Sequence, residues 1–158
     1  MAIQILPYIP KNTPPEIIQY PDKRLRETCK KVTNFDQELE KIAHDLISVL
    51  KKVDIPFMPW YGMAANQIGY DKRVIAIKRS YHKYTIMVNP EIIEKKWNIY
   101  SISSCFSLKG MYLLKRQFWQ KVRYQDLKGN HHEDIFKGGY STVLQQEIDH
   151  IDGKLVCD

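Results

Sequence analysis

The residues best placed to do chemistry lie near the end of the chain, in the stretch Y-S-T-V-L-Q-Q-E-I-D-H-I from Tyr140 to Ile151. Leu144, Ile148 and Ile151 recur at spacings of four and three, with Val143 on another face. The stretch therefore reads as a buried helix. Positions four apart on a helix stand one above the other. Gln146 and His150 thus point the same way, with Glu147 beside them. An H-E-x-x-H helix uses that layout: two imidazoles bind a metal ion and the carboxylate handles protons. Here the first histidine is a glutamine. The other histidines offer less. His44 lies off the apolar stripe of its own helix. His131 and His132 are neighbours on a strand, where adjacent side chains face opposite ways and make a poor joint site.

The elements that must position this helix can be read from periodicity. Asn34 to Val53 carries Phe35, Leu39, Ile42, Leu46, Val49, Leu50 and Val53 at helical spacing. Asn34 or Asp36 can cap that helix, and Lys51 and Lys52 suit its C-terminal dipole. Arg73–Lys78 and Tyr84–Val88 read as strands, and Asn89-Pro90 should break the second one. Phe118–Tyr124 and His131–Phe136 read as a hairpin about the turn Asp126–Asn130. Ser141 or Thr142 is expected to cap the last helix, Thr142 forming a capping box with Gln145. Gly153 is expected at its C′ position, with at most a short strand after it. Pro7, Pro10, Pro14 and Pro15 deny helix to residues 1–16, which are expected to run as an extended arm.

Composition sets outer bounds. A chain of 158 residues with 44% hydrophobic and 27% charged content suits one domain spanning residues 1–158. No run approaches the roughly 18 apolar residues that span a bilayer, and the start lacks the pattern of a signal peptide. A cytoplasmic location is expected, with no membrane partner. Cys29, Cys105 and Cys157 are too few and too scattered for a disulfide framework. A net charge of +6 implies weak attraction to acidic surfaces such as the ribosome. The basic residues are spread out, so no sequence-specific nucleic-acid binding is expected.

Three stretches read together bring a family into view. W-Y-G-M-A-A-N-Q stands at 60–67, S-S-C-F-S at 103–107 and Q-Q-E-I-D-H at 145–150. In that order they resemble the G-φ-G-φ-A-A-x-Q loop (φ apolar), the E-G-C-φ-S segment and the Q-H-E-x-x-H helix of peptide deformylases. The flanks, Ile18 to Arg26 and Glu147 to Gly153, resemble that family too. The resemblance implies an α+β fold, with small antiparallel sheets packed around the central buried helix. It implies a metal hydrolase that removes the N-formyl group from the N-terminal formyl-methionine of nascent polypeptides. By position, Cys105, His150 and Gln146 would hold the metal, and Glu147 would move protons. Gln67 and the Phe106 backbone N–H would stabilise the oxyanion, and Tyr61 and Gly62 would pair with the substrate backbone, next to Trp60. The resemblance favours Fe(II), with Zn(II) or Ni(II) as substitutes.

Three departures from the family pattern bear on this. Gln146 replaces an imidazole, Ser103-Ser104 replaces Glu-Gly, and Trp60 replaces the first glycine of the loop, bringing an indole to the cleft. Two readings of function follow: a deformylase with a weakened or unusual site, or a catalytically inactive homologue that binds peptide N-termini or a protein partner.

Overall fold

A computed structural model of the chain describes residues 3–6, 17–53, 55, 58–80 and 83–158. The elements follow in the order β1 (Ile3–Leu6), a 3₁₀ turn (Lys23–Arg26), α1 (Gln37–Val53), β2 (Gly62–Ala64), a second 3₁₀ turn (Ala65–Ile68), β3 (Val74–Ser80), β4 (Lys83–Cys105), β5 (Leu108–Gln125), β6 (His131–Lys137) and α2 (Gly139–Ile151). The strands join in one six-stranded sheet of order β1-β5-β4-β3-β2, and β6 pairs with the far half of β5. These pairings are all antiparallel. The α+β class is as the resemblance implies, with one continuous antiparallel sheet in place of several small ones. Of the arm expected over residues 1–16, only Ile3–Leu6 lies within the described residues, paired with β5.

Strand β3 explains where the helices sit. Its residues Val74, Ile75, Ala76 and Ile77 are all fully buried, so both faces of the strand are covered. Side chains alternate across a strand. Val74 and Ala76 meet the apolar stripe of α1, including Leu39, Ile42, Leu46 and Leu50. Ile75 and Ile77 meet Leu144, Ile148 and Ile151 of α2. One apolar run thus holds a helix against each face of the sheet. Helix α1 begins after Asp36, whose Oδ1 accepts the Leu39 N–H at 3.2 Å, so of the two expected caps Asp36 is the one used.

Two local expectations are corrected. Asn89-Pro90 does not end a strand; β4 runs on through it for 23 residues in all. Asn89 takes φ +51°, and the register with β5 shifts between Val88 and Glu91. The proline thus sits at an irregularity where its missing N–H breaks no ladder bond. The Asn89 side chain bridges both backbone groups of Val32, accepting at 2.8 Å and donating at 2.9 Å. The start of α2 is also different. Gly138, at φ +57°, holds the cap position without a side-chain bond. Ser141 Oγ donates to the Gln117 carbonyl and Thr142 Oγ1 to the Gly139 carbonyl, each at 2.8 Å, so neither hydroxyl caps. Gln145 accepts from the Gln117 N–H and Gln120 Nε2 instead of closing a capping box.

The end of α2 follows the sequence reading. Gly153 has φ +75°, and its N–H returns to the His150 carbonyl at 3.0 Å. The chain then turns without forming a strand, burying Leu155 and Val156 against Leu25, Cys105 and Leu108. A Cβ at residue 153 would lie 2.5 Å from the Arg26 carbonyl oxygen. Gly153→Ala combines that backbone clash with a left-handed conformation. It is expected to lower unfolding stability by roughly 2 kcal/mol or more, measured as a reduced denaturant midpoint.

Candidate active site

Cys105 is the last residue of β4, and Phe106 and Ser107 reverse the chain into β5. So tight a turn folds backbone groups onto the thiol: the Ser107 N–H donates to Cys105 Sγ at 3.4 Å. The turn is fastened from outside by the Tyr20 N–H on the Ser107 carbonyl at 2.8 Å and by Gln19 Nε2 on the Phe106 carbonyl at 3.0 Å. Facing it is the last turn of α2, where His150 Nε2 lies 3.2 Å from Cys105 Sγ. Two neighbours in the 3₁₀ turn after β2 set this spacing. Asn66 Nδ2 donates to the His150 carbonyl at 2.7 Å. Gln67 Oε1 accepts the Ala64 N–H at 2.9 Å, which aims Nε2 at Ser107 Oγ (3.0 Å) and Cys105 Sγ (3.6 Å).

Glu147, one turn before His150, lies against β2. A Cβ at Gly62 would be 2.8 Å from Glu147 Cγ and 2.9 Å from the Ala76 carbonyl oxygen. Only glycine lets the strand and the helix approach this closely. On the far side, Asp149 is held by Arg116 of β5 at 2.6 Å.

The site is dry, and this governs its charges. Burial pushes the Glu147 carboxyl up to about 8, with Asp149 adding to the shift and Arg116 opposing it. Burial also pushes the Cys105 thiol up to about 12, against the Ser107 N–H. It brings His150 down to about 4, with Arg116 reinforcing the effect. Glu147 Oε2 and His150 Nδ1 are buried without a hydrogen-bond partner. Thiolate, imidazole and carboxylate side chains bind metal in their deprotonated forms. Burial already favours that form of His150, and a divalent cation would reverse the preference it imposes on the thiol and the carboxyl.

The donor set fits such an ion. Two ligands sharing a tetrahedral ion through sulfur and nitrogen stand roughly 3.5 Å apart, close to the 3.2 Å between Cys105 and His150. Among the described residues no third His, Cys, Asp or Glu completes a cluster. Gln146 is half-buried beside them, with Nε2 donating to the Ser104 carbonyl at 3.1 Å. A carbonyl can only accept, so the amide nitrogen must face Ser104, leaving Oε1 as its open group. The donors at hand are one sulfur, one imidazole nitrogen and, on Gln146, an amide oxygen left free of the Ser104 bond.

A cavity of about 420 Å³ opens onto this floor. Trp60, Tyr61, Gly62, Cys105, Phe106, Gln146 and Glu147 line it; Gln67 and His150 lie buried behind, in contact with Cys105. Every residue proposed from sequence is thus at one place. Tyr61 is partly committed, because its carbonyl accepts the Lys78 N–H at 2.9 Å. Sequence reasoning missed Asn66, Ser107 and Arg116, which orient the others. It also missed Tyr100, Ile102 and Phe118, which line the outer cavity. Asn66 left a signal, a polar residue inside a small-residue run, and Ser107 closes the S-S-C-F-S segment; the rest depend on strand pairing and left none.

A buried thiol, imidazole and carboxyl at the floor of an open cleft, in an antiparallel α+β fold, make a site of the hydrolase type. Comparison with known proteins names the family. The family model for polypeptide deformylase matches residues 14–158. A peptide deformylase of Rhodopseudomonas palustris is 36% identical over 152 residues, covering 90% of this chain and 83% of that protein. One of Desulfotalea psychrophila is 31% identical over 149 residues, covering 90% and 85%. The crystal structure of peptide deformylase from Thermotoga maritima superposes with a TM-score of 0.81 at 29% identity, covering 90% of this chain and 94% of that one. The chain belongs to the polypeptide deformylase family, which makes it a hydrolase by membership.

The Gly62 contact gives a direct check on the site. Gly62→Ala is expected to leave a folded protein with native far-UV circular dichroism, while displacing Glu147. Deformylation should then fall by about 100-fold or more, measured as formate release.

Proposed function

We propose that this chain is a metal-dependent deformylase that removes the formyl group from the N-terminal formyl-methionine of nascent peptides. The observation that carries the reading is the convergence of Cys105, His150, Glu147 and Gln67 at the floor of one open cavity. Cys105, His150 and Gln146 would hold the ion. When bound, the ion supplies Lewis acidity, polarising the formyl carbonyl and lowering the pKa of water. Thiolate with imidazole suits Fe(II), Zn(II) or Ni(II), and we take Fe(II) as the working ion.

The chain's own residues do the rest. Glu147, with Oε2 unpartnered, accepts a proton from the attacking water and passes it to the leaving amine. Water adds to the formyl carbon, the carbon–nitrogen bond breaks, and formate and a free amino terminus result. Gln67 Nε2, which lies 3.6 Å from Cys105 Sγ, and the Phe106 N–H would donate to the developing oxyanion. With the Tyr61 carbonyl committed to Lys78, the backbone of Gly62 carries the pairing with substrate along the outer edge of β2. A thiol ligand, two further free cysteines and nascent-chain substrates fit work in the cytoplasm. The +6 net charge favours encounters with the acidic ribosome surface.

Anaerobically purified protein loaded with Fe(II) or Ni(II) is expected to release formate from a formyl-Met peptide above a free-metal blank. Glu147→Ala should remove about 99% of that rate or more; an unchanged rate would sink the proton role. Gln146→His restores an imidazole and should tighten Co(II) binding by roughly 10–100-fold, read by spectroscopic titration. A folded, metal-loaded protein without turnover would instead point to a peptide-binding homologue.

A further inference from the structure

Trp60 occupies a seat provided by the first turn of α2. A Cβ at Gly139 would lie 2.3 Å from Trp60 Cε2 and 2.5 Å from Nε1, so the indole fills the space any side chain at 139 would need. Its edge packs on Tyr140, ring centroids 5.7 Å apart, and the Tyr140 hydroxyl is tied to the Arg79 carbonyl. The indole is thus held from below and from the side, yet 38% of Trp60 remains exposed. An indole serving only to pack would be covered; this one is fixed in place at the rim of the cavity whose floor holds Cys105 and Glu147.

The rest of the rim is apolar too. Tyr100 and Ile102 stand at alternate positions on β4, hence on one face, and are 76% and 59% exposed. Met58 and Phe118 also line the cavity and are 41% and 39% exposed. A peptide whose formyl end reached the floor would place its first residue near Glu147, and these side chains would then border the residues after it.

We propose that Trp60, seated on Gly139, forms with Tyr100 and Ile102 an apolar clamp on the second and third residues of the peptide. The clamp makes this chain select formyl-Met peptides whose next residues are aromatic or large and aliphatic. An indole face and a Tyr ring gain from contact with such side chains, and would strip water from an acidic one without replacing its hydrogen bonds. The inference rests on the deformylase reading and adds a substrate preference to it.

The test is a series of formyl-Met-X-Ser peptides with X as Phe, Leu, Ala or Asp. The wild type is expected to favour Phe and Leu over Asp by about tenfold in kcat/KM. Trp60→Gly should bring that ratio close to one. Gly139→Ala, which keeps the indole but removes its seat, should do the same. Ile135→Ala, exposed on β6 and outside the cavity lining, should keep the wild-type profile. An equal loss for every peptide in Trp60→Gly, or a flat wild-type profile, would overturn the clamp. Calorimetric titration with the same peptides separates the two readings. Selective binding without turnover would retain the clamp and reject the hydrolase; turnover without selectivity would do the reverse.

Discussion

The close approach of α2 to β2 at Gly62 is the constraint on which the site depends. Where most helix–sheet contacts are filled by side chains, here the glycine carries none, and the stem of Glu147 takes the space. With the helix this near, Asn66 reaches the His150 carbonyl, while Gln67, its neighbour, meets the thiol at the end of β4. The missing Cβ thus sets how closely Glu147 and His150 approach β2 and the turn after it. The burial of β3 on both faces keeps it there, because α2 cannot retreat without uncovering Ile75 and Ile77.

Closeness brings dryness, and dryness makes the site a receptor for positive charge. A thiol, an imidazole and a carboxyl shut away from water each rest in their neutral forms. The buried guanidinium of Arg116 is paired with Asp149 and only partly opposes the shift of Glu147. Gln146 changes the character of this receptor more than its shape. An amide oxygen is a harder and weaker donor than an imidazole nitrogen toward the later transition metals. The Ser104 carbonyl fixes which end of that amide stays open.

Much of this was readable from the chain. The α1 stripe, the β5–β6 hairpin about Asp126–Asn130 and the C′ role of Gly153 follow from local periodicity and turn chemistry, and all three are present. The site was readable because its residues sit in three short stretches whose internal spacing is local. What escaped depends on pairing between distant segments. Asn89-Pro90 has the local grammar of a strand break, but the Val32 backbone bonds to Asn89 and carries the strand through. Ser141 and Thr142 have the grammar of a cap, but Gly138 and the Gln117 carbonyl fix the helix start first. The rim formed by Tyr100 and Ile102 exists only because a 23-residue strand brings them back to the cleft.

The seat beneath Trp60 also bears on how such a chain can change over time. As seated, the indole at residue 60 fills the space that a Cβ at residue 139 would need. A side chain at 139 must therefore push the indole off its seat, whereas loss of the indole leaves 139 free to vary. The two positions, 79 apart in sequence, are thus coupled: only one order of substitution keeps the seat intact.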